Sequence, residues 1–394
     1  MMQTKLKMAG APGRGTPAIG LLGSIVSSMR PSTSAVPSFM SYRPQPSALA
    51  LLSACLFALA TGCRDEELPQ ARDRGVLLVG GTRSHNVMKV DERSGELLGE
   101  FIPAGSGGLI APDALVIGPD GHLYVTSGDT AQNSAVLRYD GKTGRFIDTF
   151  ASGNGLHRPY GAAFGPDNRL YVSSFLSDQI LRFDATTGAF VDVFATGNGQ
   201  AGGLNGPNAL LFGPDGKLYV TTQGSVALNG QPTFPGLPSQ VLRYDITTRQ
   251  GEVFIEQPAL SPAGAGYISL LGMVFGPDCE RQGGTCDLFV SDFANDIRRY
   301  EPSTRALKAT LSTNYSGSVP TKNNVGSLTF GTDSNLYTVG FDNTAEGKLK
   351  SALLRFDGRT NEPRPSAGQA GALFVPPDER LVRSIGILFT RLPE

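Results

Sequence analysis

The chain has 394 residues, with 34 Lys and Arg set against 35 Asp and Glu for a formal net charge of −1. That balance gives no electrostatic footprint for nucleic acid or an acidic membrane face, so partners of those classes are not expected. Only four cysteines and three histidines are present, which limits what metal or redox chemistry the chain could support.

Residues 1–47 are rich in Pro, Ser, Gly and Ala and do not read as part of a packed domain. An apolar run follows from Ala48 to Gly62 and ends at Cys63. It is shorter than the roughly 20 residues a membrane span needs, and suits the apolar region of a secretory signal. The segment Leu59-Ala60-Thr61-Gly62-Cys63 resembles the lipobox of bacterial lipoproteins, which implies that Cys63 is lipidated after cleavage. Leu52-Ser53-Ala54-Cys55 fits the same pattern, but cleavage there would leave Leu56–Ala60 exposed, so Cys63 is preferred. A leader this long is unusual, and translation is expected to start at Met29 or Met40. Residues 63–75 then form a polar tether. Arg64, where an Asp would signal inner-membrane retention, suggests outer-membrane sorting in a Gram-negative cell.

From residue 76 a unit of roughly 44–49 residues recurs, as in folds that stack one supersecondary unit on the next. Leu77-Leu78-Val79 is its first apolar strand. The later copies begin Leu123-Tyr124-Val125, Leu170-Tyr171-Val172, Leu218-Tyr219-Val220, Leu288-Phe289-Val290 and Leu336-Tyr337-Thr338. A second strand ends each time in an acid, at Asp91, Asp140, Asp184, Asp245, Glu301 and Asp357. A short turn follows, ending in Gly95, Gly144, Gly188, Arg249, Arg305 or Asn361. Such acids satisfy turn donors and are not catalytic carboxylates. A third strand carries Phe146–Phe150 and Phe190–Phe194. A small apolar strand ends at Ile117, Phe164, Phe212, Phe275, Phe330 and Phe389. Five Gly-Pro-Asp hairpins or relatives, from Gly118, Gly165, Gly213, Gly276 and Gly331, join small strands to the next apolar strand. Six strands of each kind and five hairpins leave one junction to be made by the chain ends. The expected fold is therefore all-β: a six-bladed β-propeller of four-stranded blades over 76–390, in which Ile385–Phe389 completes the first blade. Cys279 and Cys286 flank a Gly-Gly loop between paired strands and read as a disulfide, which implies an oxidising compartment.

The recurring Phe-Gly-Pro-Asp-Gly-x-Leu-Tyr-Val pattern resembles NHL repeats and the gluconolactonase/regucalcin-like propellers over nearly the whole mature chain. The resemblance implies that the small strand lines an axial channel, with its first residue at the channel mouth. Those positions are Asp113, Tyr160, Asn208, Leu271, Gly326 and Ile385. His157 and Arg158 precede Tyr160 and are the further polar candidates for a ligand-facing site. The longest loops, Gln223–Gln240 and Gln257–Leu270, are expected over the same mouth, where long irregular loops on a rigid scaffold commonly bind. The resemblance also implies a central calcium, with Asn208 and Asp113 matching two of the family's ligands. Calcium wants six to eight oxygens, and Leu271, Gly326 and Ile385 supply none from a side chain. The His and Glu set of virginiamycin-lyase propellers is not found, and no complete catalytic set is visible.

The leading expectation is a cell-envelope lipoprotein whose propeller binds a small molecule or an envelope protein, with the membrane reached through its lipid. The alternative is a calcium-dependent lactonase or esterase resembling gluconolactonases, with Asp113 and Asn208 on the metal and His157 assisting.

Overall fold

The structure is a computed structural model that describes residues 74–279, 286–294 and 296–393. The signal region 1–62 and Cys63 lie outside the described residues. So does the tether, except for Arg74 and Gly75, which open the first strand.

Strands β1 (Arg74–Gly81), β2 (Asn86–Asp91) and β3 (Leu97–Ile102) start blade one. Blade two is β4 (Leu115–Ile117), β5 (Leu123–Ser127), β6 (Ala135–Tyr139) and β7 (Phe146–Ser152). Blade three is β8 (Pro159–Phe164), β9 (Arg169–Ser174), β10 (Gln179–Asp184) and β11 (Phe190–Thr196). In blade four, β12 (Pro207–Phe212) and β13 (Leu218–Thr222) are followed by an inserted hairpin, β14 (Val226–Leu228) and β15 (Gln231–Thr233). The blade then resumes with β16 (Val241–Tyr244) and β17 (Gly251–Ile255). Blade five is β18 (Leu270–Phe275), β19 (Leu288–Asp292), β20 (Ile297–Tyr300) and β21 (Leu307–Leu311). Blade six is β22 (Asn323–Phe330), β23 (Asn335–Asp342), β24 (Lys350–Asp357) and β25 (Leu373–Val382). The last strand, β26 (Ser384–Leu392), pairs antiparallel with β1 and sets Leu77 opposite Phe389 and Val79 opposite Ile387. Six four-stranded sheets result, with the ring closed as the count of hairpins requires.

The repeat has a physical cause in each of its letters. The tyrosine of Leu-Tyr-Val is buried edge-on against the phenylalanine that ends the next blade's inner strand. Ring centroids are 4.9 Å apart for Tyr124 and Phe164, and 5.3 Å for both Tyr171 with Phe212 and Tyr219 with Phe275. Phe289 and Phe330 repeat the contact at 5.4 Å. Each such pair is worth about 0.5–1.5 kcal/mol beyond the area it buries. The tyrosine hydroxyls donate to the aspartate of the preceding Gly-Pro-Asp turn, at 2.9 Å from Tyr124 to Asp120 and 2.9 Å from Tyr171 to Asp167. One residue thus supplies core and pins the hairpin, because a buried hydroxyl must be bonded.

The turn acids behave as read from the sequence. Asp140 Oδ1 accepts from the amides of Lys142 and Thr143 and from the Thr143 hydroxyl, which hold its carboxyl below the usual range. The residue closing each turn has positive φ, and this includes Arg249 at 61° and Arg305 at 62°. Those two arginines reach back across the blade boundary. Arg249 bonds Asp192 and the Val193 carbonyl, and Arg305 bonds Glu252 and the Val253 carbonyl. The Cys279–Cys286 bridge is formed and closes the connection between β18 and β19.

Inner strands of neighbouring blades run backbone against backbone. A Cβ on Gly161 would collide with the Asn208 carbonyl, and one on Gly386 with the carbonyl of Asp113. This close approach brings the first residues of adjacent inner strands together around the channel.

Candidate functional site

The inner strands bring five of the six aligned positions, Asp113, Tyr160, Asn208, Leu271 and Ile385, to one cavity of about 700 Å³ at the channel mouth. Gly326 contributes no side chain. The two long connections form the walls. From the insertion after β13 come Gln223, Phe234 and Leu237, and from the β17–β18 loop come Gln257, Leu260 and Tyr267.

These loops are fastened rather than draped. Asp178 is buried and accepts the amides of Gly206 at 2.9 Å and Ala227 at 2.6 Å, so one carboxylate ties the β11–β12 loop to the inserted hairpin. Burial pushes its pKa up, and the two amides oppose the shift. Gln240 accepts from the Gly202 amide and donates to Glu256, and the Ser239 amide donates to Gln257. On the blade-five side, Asp292 is wholly buried. It takes a 2.8 Å bond from Arg298 Nη1 and the amide of Ser269 at 3.0 Å, while Arg298 Nη2 donates to the Ala259 carbonyl. The second wall therefore hangs on a buried ion pair.

The floor and the rim differ in chemistry. Phe234, Leu260 and Tyr267 are 68%, 54% and 47% exposed, which is costly surface for apolar side chains that the core does not need. Below them Asp113 is buried. Among the described residues its carboxylate accepts no hydrogen bond, and burial pushes its pKa up to about 7 against the opposing pull of Arg383 and Arg158. Burial, with help from Asp113, raises Tyr160 to about 12. The Tyr160 ring packs on Phe175 at 4.6 Å and carries the Arg158 guanidinium 5.3 Å from its centroid. Arg383, at the turn into β26, lines the cavity. It donates to Thr82 Oγ1 at 3.0 Å and lies 5.6 Å from the Phe341 ring centroid. Burial lowers its pKa while Asp113 and Tyr160 raise it.

The sequence-derived set is thus brought together in part. Asp113, Tyr160 and Asn208 line the cavity, and Arg158 stands behind Tyr160. His157 does not line it. Its amide donates to Ser174 Oγ, its carbonyl accepts from Leu176, and its ring lies against Gly230 of the inserted hairpin. The chain turns left-handed at Arg158, with φ of 53°, so His157 and Tyr160 do not share a face. Burial and the Arg158 charge lower the His157 pKa. Arg383 was not anticipated, and the rim was anticipated only as the Gln223–Gln240 and Gln257–Leu270 loops, not as the particular side chains Phe234, Leu260 and Tyr267. A lone arginine just before the closing strand, and a Phe set among prolines in an insertion, were the signals available.

The donor set does not fit a central calcium. Asp113 is the one carboxylate among the ring positions, and two guanidinium charges act on it. Leu271 and Ile385 complete the ring with hydrocarbon, and among the described residues no three His, Cys, Asp or Glu side chains are grouped to hold an ion. A dication would meet too few oxygens and a net positive field.

Fold and site together define a six-bladed β-propeller with a ligand-sized, amphipathic cavity at one mouth. No protein-family model matches the chain, and no curated protein matches it. Solved structures do. A chain of the nidogen/laminin complex is 13% identical over 80% of this chain and 98% of its own, at a TM-score of 0.53. A protein of unknown function from Bacteroides caccae is 15% identical over 80% and 98%, at 0.51. A gluconolactonase from Xanthomonas campestris is 18% identical over 68% and 76%, at 0.43. At these identities the likeness shows the fold alone.

Proposed function

We propose that this protein is an exported, lipid-anchored binding module that takes a small amphipathic molecule at the propeller mouth. The observation that carries the reading is the juxtaposition of an exposed apolar rim with a buried polar floor in a cavity of about 700 Å³, within the range of small-molecule sites. Phe234, Leu260 and Tyr267 supply contact area. Asp113, Tyr160 and Asn208 supply orientation, since none of their side-chain polar atoms is hydrogen-bonded among the described residues. Rigid inner strands hold the floor in place, so little ordering cost attends binding. A lactonase or esterase reading lacks its metal donors and gains no support from the geometry.

Export is supported by the Cys279–Cys286 bridge, a feature of oxidising compartments, and by the apolar run that closes at Cys63. In this reading the lipid on Cys63 holds the propeller at the cell envelope, on the outer membrane in a Gram-negative cell. The mature chain should begin at Cys63 and carry lipid by mass spectrometry. A mature chain that retains residues before Cys63 would rule out a lipid anchor at that cysteine.

Ligand-observed NMR with a fragment collection tests the binding role. Hits should be found for the native protein and weakened about tenfold or more when Phe234→Ser and Leu260→Ser are combined, given the usual worth of two buried apolar contacts. Both residues are exposed at the rim, so the fold should survive. Hits that ignore the double substitution would place binding elsewhere.

A further inference from the structure

The ligand's polar end can be read from the charges around the floor. Two guanidiniums, Arg383 in the cavity wall and Arg158 behind Tyr160, act on a single carboxyl group, that of Asp113. Among the described residues neither arginine has a carboxylate within ion-pair distance. Arg383 spends one donor on Thr82 Oγ1, which leaves most of its five donors for other partners. Tyr160 O–H and the Asn208 amide add neutral donors at the same level. The loop walls bring Phe234, Leu237, Leu260 and Tyr267, together with the uncharged amides of Gln223 and Gln257 and no charged side chain.

We infer that the mouth binds a monocarboxylate with an aromatic or alkyl body, its carboxylate held by Arg383, Tyr160 and Asn208 and its body laid against the Phe234–Leu260–Tyr267 wall. This rests on the mouth being the binding site. The excess of positive charge favours an anion, and the planar guanidinium suits a carboxylate through paired N–H bonds. A cationic head would face the two arginines. A dianion such as a phosphate monoester would find one guanidinium in the wall with Asp113 beside it. Asp113 accommodates a monoanion by holding a proton, and then donates to the ligand rather than repelling it. The charged and titratable groups that bear on Asp113 are Arg383 from the turn before β26, Arg158 from the β7–β8 loop and Tyr160 from β8. Arg83 acts on Arg383 in turn. His85 sits on the β1–β2 turn, where its Nδ1 accepts the Ala111 amide two residues before Asp113. Asn208, Leu271, Gly326 and Ile385 bring no charge. Asp113 loses its proton near pH 7, so capture of the acid should weaken as the pH rises past that point.

The test uses three probes with one body, 4-phenylbutyrate, its primary amide and 4-phenylbutylamine, titrated into the purified protein by calorimetry at pH 6 and pH 8. The acid should bind at least tenfold tighter than the amide or the amine at pH 6. That preference should vanish in Arg383→Met, the acid losing at least tenfold more affinity than the amide, and Arg383→Lys should restore part of it. The acid's affinity should fall between pH 6 and pH 8 in the native protein and stay level in Asp113→Asn. An amide or amine that binds as tightly as the acid, yet weakens on Phe234→Ser, overturns the carboxylate assignment and keeps the mouth as the site. Binding of all three that is indifferent to Phe234→Ser, or no binding of any, overturns both.

Discussion

Replacing Asp292 by Ala is expected to lower the unfolding free energy by about 3–5 kcal/mol, among the largest effects a single substitution could have here. The reason is asymmetry. Asp292 and Arg298 are 0% and 4% exposed at the side chain, and their 2.8 Å bond satisfies charges that water cannot reach. Removing the carboxylate leaves the guanidinium buried and unneutralised, and strips the Ser269 amide of its acceptor. Urea unfolding measures the loss. Changing both partners together, Asp292→Leu with Arg298→Met, should recover much of it, because no charge is then stranded. A single Asp292→Ala as stable as the native protein would mean that the pair does not hold the blade-five wall. Where the fold survives, fragment binding should weaken too, since Arg298 also anchors the Ala259 carbonyl beside Leu260.

Asp113→Asn is expected to act in the opposite direction and to depend on pH. In the folded protein the carboxyl titrates at about 7, against 3.8 as its ordinary value. Between those two values the native state holds more protons than the unfolded chain, so native stability falls as pH rises from about 4 to 7. The penalty is complete above pH 7 and absent below the unfolded value. Asn removes the ionisation and keeps the shape, so the variant should exceed the native protein by roughly 2–4 kcal/mol at pH 8, with the gain shrinking to nothing near pH 4. Urea midpoints at pH 4, 6 and 8 decide it. A variant that is no more stable at pH 8 would show that Asp113 ionises freely and that the floor is wetter than its burial implies. A residue that destabilises its own fold at neutral pH has the character of a functional group, and stability traded for a site is a recurrent pattern.

Most of the fold was legible because each repeat solves the same packing problem with the same letters. Leu-Tyr-Val, the turn acid and Gly-Pro-Asp each mark one strand or hairpin, and the shortfall of one hairpin located the closing strand β26. The floor was legible for the same reason: Asp113, Tyr160 and Asn208 fall at one position of the repeat. The rim was legible only at the level of whole loops: the Gln223–Gln240 and Gln257–Leu270 segments were expected over the mouth, but they have no counterpart in other blades and so no template for where Phe234 or Tyr267 would lie. Arg383 precedes the closing strand at a positive φ of 49°, a conformation that periodicity does not foretell. The same kind of reversal at Arg158, one residue after His157, turns the His157 side chain away from the face that Tyr160 presents to the cavity. Sequence periodicity reads side-chain direction only while the backbone stays extended.

Whether ligand binds at the mouth is addressed most directly by a crystal of the protein soaked with its best carboxylate fragments. The prediction is density in the cavity, with a carboxylate on Arg383 and the body against Phe234 and Tyr267. Fragments found only at blade edges or on the opposite face, with the mouth unchanged, would contradict it.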